Sequence, residues 1–146
     1  MIRRPSPPGL DHAALDECCA RLGLRMVVLF GSRATGSPPP QSDSDLDLAI
    51  AFVNGQRREF WDCHDALAEL FPGQSLDLVF LSDADPLFRW EILSEGVLLW
   101  GDVDDFLEMR AFAYRDFHDS ADLRALERTL SMKKLAHIRQ QLGSPS

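Results

Sequence analysis

Cysteine is scarce in this 146-residue chain and badly arranged for structural use. Cys18, Cys19 and Cys63 are odd in number, two are adjacent, and no CxxC pair occurs. That excludes a disulfide framework and a structural zinc site, leaving three thiols as small apolar residues and a reduced cytosol as the expected compartment. Long apolar runs are also missing: none approaches the ~20 residues of a membrane helix. Arg3 and Arg4 have no apolar stretch behind them, so residues 1–9 read as a flexible lead-in rather than a secretory signal. Positive charge is in deficit, with 15 Lys and Arg against 23 Asp and Glu and a net charge of −8. Non-specific nucleic-acid binding draws on phosphate neutralisation, so this balance excludes general nucleic-acid binding. His12, His118 and His137 show no metal-ligand spacing, and there is no internal repeat.

What is present suffices for one core, since 45% of the residues are hydrophobic. Leu10 to Leu22 places apolar residues at helical spacing and ends at Gly23. Met26 to Phe30 is a short continuous apolar run, which reads as a buried strand. Gly31 to Gln41, with prolines at 38–40, reads as a loop. Asp45 to Phe52 is a second strand, followed by the Asn54-Gly55 turn signal. Arg57 to Phe71 is an amphipathic helix stopped by Pro72-Gly73. Ser75 to Leu81 is a third strand. Asp85-Pro86 is an N-cap with proline at the first helical position, and Gly96 closes that helix before a fourth strand, Val97 to Trp100.

From Asp104 the chain is helical, with a break expected near Asp119-Ser120. One apolar stripe there runs through Phe106, Met109, Ala113 and Phe117, and another through Leu123, Leu126, Leu130, Leu135, Ile138 and Leu142. Seven of the 15 basic residues fall in this part, which reads either as a partner surface or as a solvated helix face salt-bridged to its own Asp and Glu. The predicted organisation is a lead-in at 1–9, a domain over 10–118, and over 119–146 a C-terminal helix and frayed tail packed on or extending the same domain. The fold class is α/β (α+β): a small mixed sheet flanked by helices, with a helical C-terminal segment.

The chemistry sits on two strands. Alternation sends Leu46, Leu48 and Ile50 to one face and Asp45, Asp47 and Ala49 to the other. Leu76, Leu78 and Phe80 oppose Asp77 and Val79 in the same way. If the two strands share a core, three carboxylates converge on the opposite face. Such a cluster repels itself, and a hard dication removes the repulsion. Mg²⁺ takes oxygen ligands, commonly carboxylates together with substrate phosphates, and two such ions suit an in-line phosphoryl displacement. Upstream, a buried strand leads into Gly31-Ser32-Arg33. There the backbone N–H groups and the hydroxyl can hold a phosphate tail, and the guanidinium can add a charge-assisted contact.

Together, Leu29-Phe-Gly-Ser-Arg-Ala34, Asp43-Ser-Asp-Leu-Asp-Leu-Ala-Ile50 and Leu76-Asp-Leu-Val79 resemble the signature of the DNA polymerase beta nucleotidyltransferase superfamily. The wording is closer to its minimal nucleotidyltransferase branch, which Glu91 to Trp100 also resembles, and the likeness runs from about Leu22 to Phe117. One departure is that twelve residues, rather than the family's usual ten, separate Ser32 from Asp45. The extra pair is assigned to Ser37 to Gln41, and the alternating leucines select Asp45 and Asp47 over Asp43.

The resemblance implies an antitoxin that transfers AMP from ATP to a tyrosine of a HEPN-domain ribonuclease toxin. It implies that Asp45 and Asp47 bind two Mg²⁺ ions, that Asp77 completes the site of one, and that Gly31 and Ser32 hold the terminal phosphates. A small-molecule nucleotidyltransferase of the aminoglycoside type, and a non-catalytic antitoxin that acts by contact, stand as alternatives. The R-x(4–6)-H spacing of Arg58 and His64 is set aside as coincidence, with Phe60-Trp61 beside it read as helix core. Trp61, Trp90 and Trp100 are read as packing residues.

Overall fold

The computed structural model describes residue 7, residues 9–35 and residues 45–143; Asp43 and the Ser37 to Gln41 insertion lie outside the described residues. Helix α1 (His12–Leu22) is N-capped by Asp11, whose Oδ1 accepts from the backbone of Ala13 and Ala14 at 3.0 and 3.2 Å. It ends at Gly23, which sits in the left-handed region (φ 69°). Strand β1 (Leu24–Phe30), a single helical turn α2 (Ser32–Thr35) and β2 (Leu46–Phe52) follow. Next come α3 (Phe60–Ala68), β3 (Leu76–Phe80), a 3-10 turn at Leu81–Asp83, α4 (Pro86–Glu95), β4 (Val97–Gly101) and α5 (Val103–Gly143). Asp85 caps α4 with Pro86 behind it, as the sequence predicts.

The sheet has the order β3-β2-β1-β4. β1 pairs antiparallel with β2 and β4, while β2 and β3 run parallel, joined by the crossover through α3. The mixed sheet is the expected one. Both of its faces are covered, which explains the nearly continuous apolar runs of β1 and β2. Leu46, Leu48, Ile50, Leu78 and Phe80 pack with Leu15, Cys19, Cys63 and Leu67 from α1 and α3. Met26, Val28, Ala49 and Ala51 pack with Ile92 and Leu93 of α4 and with Phe106 and Ala113 of α5. All three cysteines are buried and free.

Two expectations need correction. The break near Asp119-Ser120 is absent: α5 runs unbroken for 41 residues. Ser120 is accommodated because its hydroxyl donates to the Phe117 carbonyl at 3.1 Å, satisfying a group that otherwise competes with the helix backbone. Trp61 is not core but 60% exposed; Cys63 and Leu67, four apart, define the buried face of α3, and Trp61 lies off it. Of the second apolar stripe of α5, Leu130, Leu135 and Ile138 are exposed. Among the described residues, no helix is long and apolar enough to cross a membrane.

Candidate active site

The acids meet at one end of the sheet. In β2, Asp47 has Phe30 of β1 as its partner on one side and Asp77 of β3 on the other. Residues directly opposite in adjacent strands stand on the same face with Cβ atoms about 5 Å apart. Asp47 and Asp77 are thus side by side on the face that carries Ala49 and Val79 further along, where α4 and α5 close over it. Asp45 stands one residue ahead of β2, exposed to solvent.

Electrostatics reports the same crowding. The Asp47 carboxyl is pushed up from 3.8 to about 6, first by burial, then by the charges of Asp77 and Asp45 and a hydrogen bond with Asp77; Arg33 pulls the other way. One half-buried carboxylate therefore feels two like charges and one cation, all from residues singled out by sequence.

Gly31 is fixed by two constraints. Its φ of 77° is left-handed, where side chains are disfavoured. A Cβ there would also overlap Asp47 Oδ2 and stand 3.1 Å from Asp47 Cγ. The turn after β1 thus lies against the acid pair. Ser32 opens the helical turn α2, and the Ala34 N–H donates to the Gly31 carbonyl at 3.0 Å.

Among the described residues, no three His, Cys, Asp or Glu side chains form a ready-made metal cage. The donor set nevertheless fits Mg²⁺. That ion is held through one or two carboxylates plus substrate phosphates rather than by an all-protein cage, and the crowding of like charge around Asp47 is what a dication relieves. The cavity between α1 and β4, about 680 Å³ and lined by His12, Asp16, Trp100 and Asp105, does not touch the acid pair.

The sequence reading does not single out Phe30 and Phe88, whose rings meet edge to face with centroids 6.0 Å apart beside Asp47. The β1–β2 register that puts Phe30 opposite Asp47 has no local signal in either strand. Of the basic residues of α5, Arg110 is structural: its Nε donates to the Leu93 carbonyl at 2.7 Å and its guanidinium lies over Phe106. Arg128, Lys133, Lys134 and Arg139 are exposed.

Paired acids on neighbouring strands of a small mixed sheet, with a glycine-serine turn pressed against them, define a nucleotidyltransferase. Residues 15–105 match the family described as Polymerase beta, Nucleotidyltransferase, and the chain belongs to that family. Within it the likeness is to the minimal nucleotidyltransferase branch. The protein adenylyltransferase MntA of Aphanizomenon flos-aquae (strain 2012/KM1/D3) is 25% identical over 130 residues, covering 82% of this chain and 83% of the relative. Two solved structures share the fold. A toxin–antitoxin complex with AMP-PNP superposes with a TM-score of 0.62 at 22% identity, over 84% of this chain and 99% of that one. A tri-AMPylated HEPN toxin in complex with its MNT antitoxin, from Shewanella oneidensis, gives 0.55 at 20% identity, over 82% and 94%.

Proposed function

We propose that this protein is a Mg²⁺-dependent adenylyltransferase that moves AMP from ATP onto a protein hydroxyl, a tyrosine of a HEPN-family ribonuclease toxin, and acts as the antitoxin of that pair. The observation that carries the reading is the register of Asp47 against Asp77 beneath Gly31. The adenylyltransferase relative and the two complexes supply the partner class.

In this reading Asp45, Asp47 and Asp77 are the residues that would hold the metal. When bound, Mg²⁺ supplies charge neutralisation and polarises the phosphate oxygens. The glycine at 31 lets the turn's backbone N–H groups approach the β- and γ-phosphates, while the Ser32 hydroxyl donates to them and Arg33 balances their charge. The acceptor oxygen attacks the α-phosphorus, the bond from that phosphorus to the bridging oxygen breaks, pyrophosphate leaves, and the hydroxyl proton passes to solvent. The rigid strand pair holds the phosphorus in line, so orientation is the protein's main contribution.

The test is incubation of the purified protein with ATP labelled at the α-phosphate, Mg²⁺ and the candidate toxin. Label should appear on the toxin, and be lost from it when Asp45 and Asp47 are replaced by Ala. If the Asp45→Ala/Asp47→Ala protein still silences the toxin, neutralisation works by contact and the transfer reading is wrong.

A further inference from the structure

The acid pair and the glycine-serine turn account for metal and phosphates, but leave the base of the nucleotide without a seat. We infer that Phe88, backed by Phe30, is the platform on which that base stacks, so that the site favours purine over pyrimidine triphosphates. The inference rests on the reading that this site takes a nucleoside triphosphate.

Phe30 is the register partner of Asp47, and opposite residues of an antiparallel pair share a face, so its ring stands beside the catalytic acids. Phe88 meets that ring at 6.0 Å and an interplanar angle of 80°. Such an edge-to-face pair leaves ring surface unused by the partner. Phe88 is 37% exposed, while Ile92 and Leu93 of the same helix carry the buried contacts of α4. Its ring is therefore not needed to fill the core.

The backbone beneath Phe88 is nonetheless held firmly. The Phe88 N–H donates to Asp85 Oδ1 at 2.8 Å. The next residue, Arg89, donates from Nε to the Leu81 carbonyl at 2.9 Å and from Nη2 to the Ala84 carbonyl at 2.8 Å, tying the first turn of α4 to the 3-10 turn that follows β3. A partly exposed ring on a pinned turn is pre-organised for contact, which lowers the entropic cost of binding. Its chemistry also sorts the ligand. Beside the Asp47–Asp77 pair, an uncharged aromatic wall suits the uncharged end of a nucleotide, while the triphosphate goes to Gly31, Ser32 and Arg33. Base–aromatic stacking tolerates any base but grows with ring area, which favours purines without separating adenine from guanine.

The experiment is calorimetric titration with Mg²⁺ and ATP, UTP or inorganic tripolyphosphate, on the full chain and on Phe88→Ala, Phe88→Leu and Phe88→Trp. Phe88→Ala and Phe88→Leu should weaken ATP about ten-fold, leave tripolyphosphate within about two-fold, and shrink the preference for ATP over UTP, while Phe88→Trp restores ATP affinity. Leu preserves bulk, so a loss in both variants cannot be a packing defect. Equal weakening of ATP and tripolyphosphate would make Phe88 a structural residue. Unchanged ATP affinity with slower transfer would assign the ring to the acceptor instead. Wild type that binds tripolyphosphate as tightly as ATP would remove the platform alone, whereas wild type that binds neither would remove the nucleotide reading with it.

Discussion

Replacing Asp47 by Asn should make the metal-free protein more stable while abolishing transfer. Burial and the charges of Asp77 and Asp45 move the Asp47 carboxyl from 3.8 to about 6. An acid whose folded pKa is raised weakens the fold as the pH climbs through that value. The cost is absent below pH ~4, grows between ~4 and ~6, and is complete above ~6. Taken whole, the displacement corresponds to about 3 kcal/mol at neutral pH. Because the group is only half-buried, solvent screening reduces this to about 1–2 kcal/mol. Asn is nearly isosteric, cannot ionise, and keeps a donor for the hydrogen bond to Asp77.

The assay is thermal unfolding followed by circular dichroism, in EDTA, at pH 7.5 and pH 4. Asp47→Asn should melt about 3–8 °C above wild type at pH 7.5. At pH 4 the two should coincide. Adding Mg²⁺ at pH 7.5 should raise the wild type and leave the variant nearly unmoved. A variant no more stable than wild type in EDTA at pH 7.5, or one whose advantage persists at pH 4, would refute the idea that crowded charge is stored at this position.

Other positions give independent tests. Gly31→Ala places a Cβ in the left-handed region and against Asp47, so urea titration should show a loss of about 1–3 kcal/mol, with transfer lost as well. The Cys19 thiol, pushed up to about 12 mainly by burial, should be silent toward a disulfide reagent at pH 8 in the native protein and react promptly in urea. Removing residues 131–146 takes away the exposed residues 131–140 of α5, so it should leave the melting temperature within about 2 °C while weakening binding of the candidate toxin measured by calorimetry; an unchanged affinity would dismiss this part of the chain as the docking surface.

The site was more legible in the sequence than the helices were, and for a physical reason. Alternation is a local property: once Leu46, Leu48 and Ile50 are assigned to the core, Asp45 and Asp47 must face away, and the same holds for Leu78 and Phe80 against Asp77. Register is not local. That Asp47 sits between Phe30 and Asp77 depends on three segments finding one alignment, so the ring pair beside the acids was invisible. Helix α5 misleads in the opposite direction. Asp119 and Ser120 are weak helix formers, yet the strong formers around them and the Ser120 hydrogen bond to Phe117 carry the helix through. Trp61 shows that an apolar residue within an amphipathic segment need not belong to its buried stripe.

The parallel alignment of β2 with β3 has a consequence for how the protein comes into being. Antiparallel neighbours can zip from a hairpin, but parallel strands need a crossover connection, here the segment that carries α3. Asp47 and Asp77 are therefore strangers in the nascent chain. Their mutual repulsion is switched on only by the assembly event that also makes them useful, so a dication arriving then rewards the finished sheet and nothing earlier.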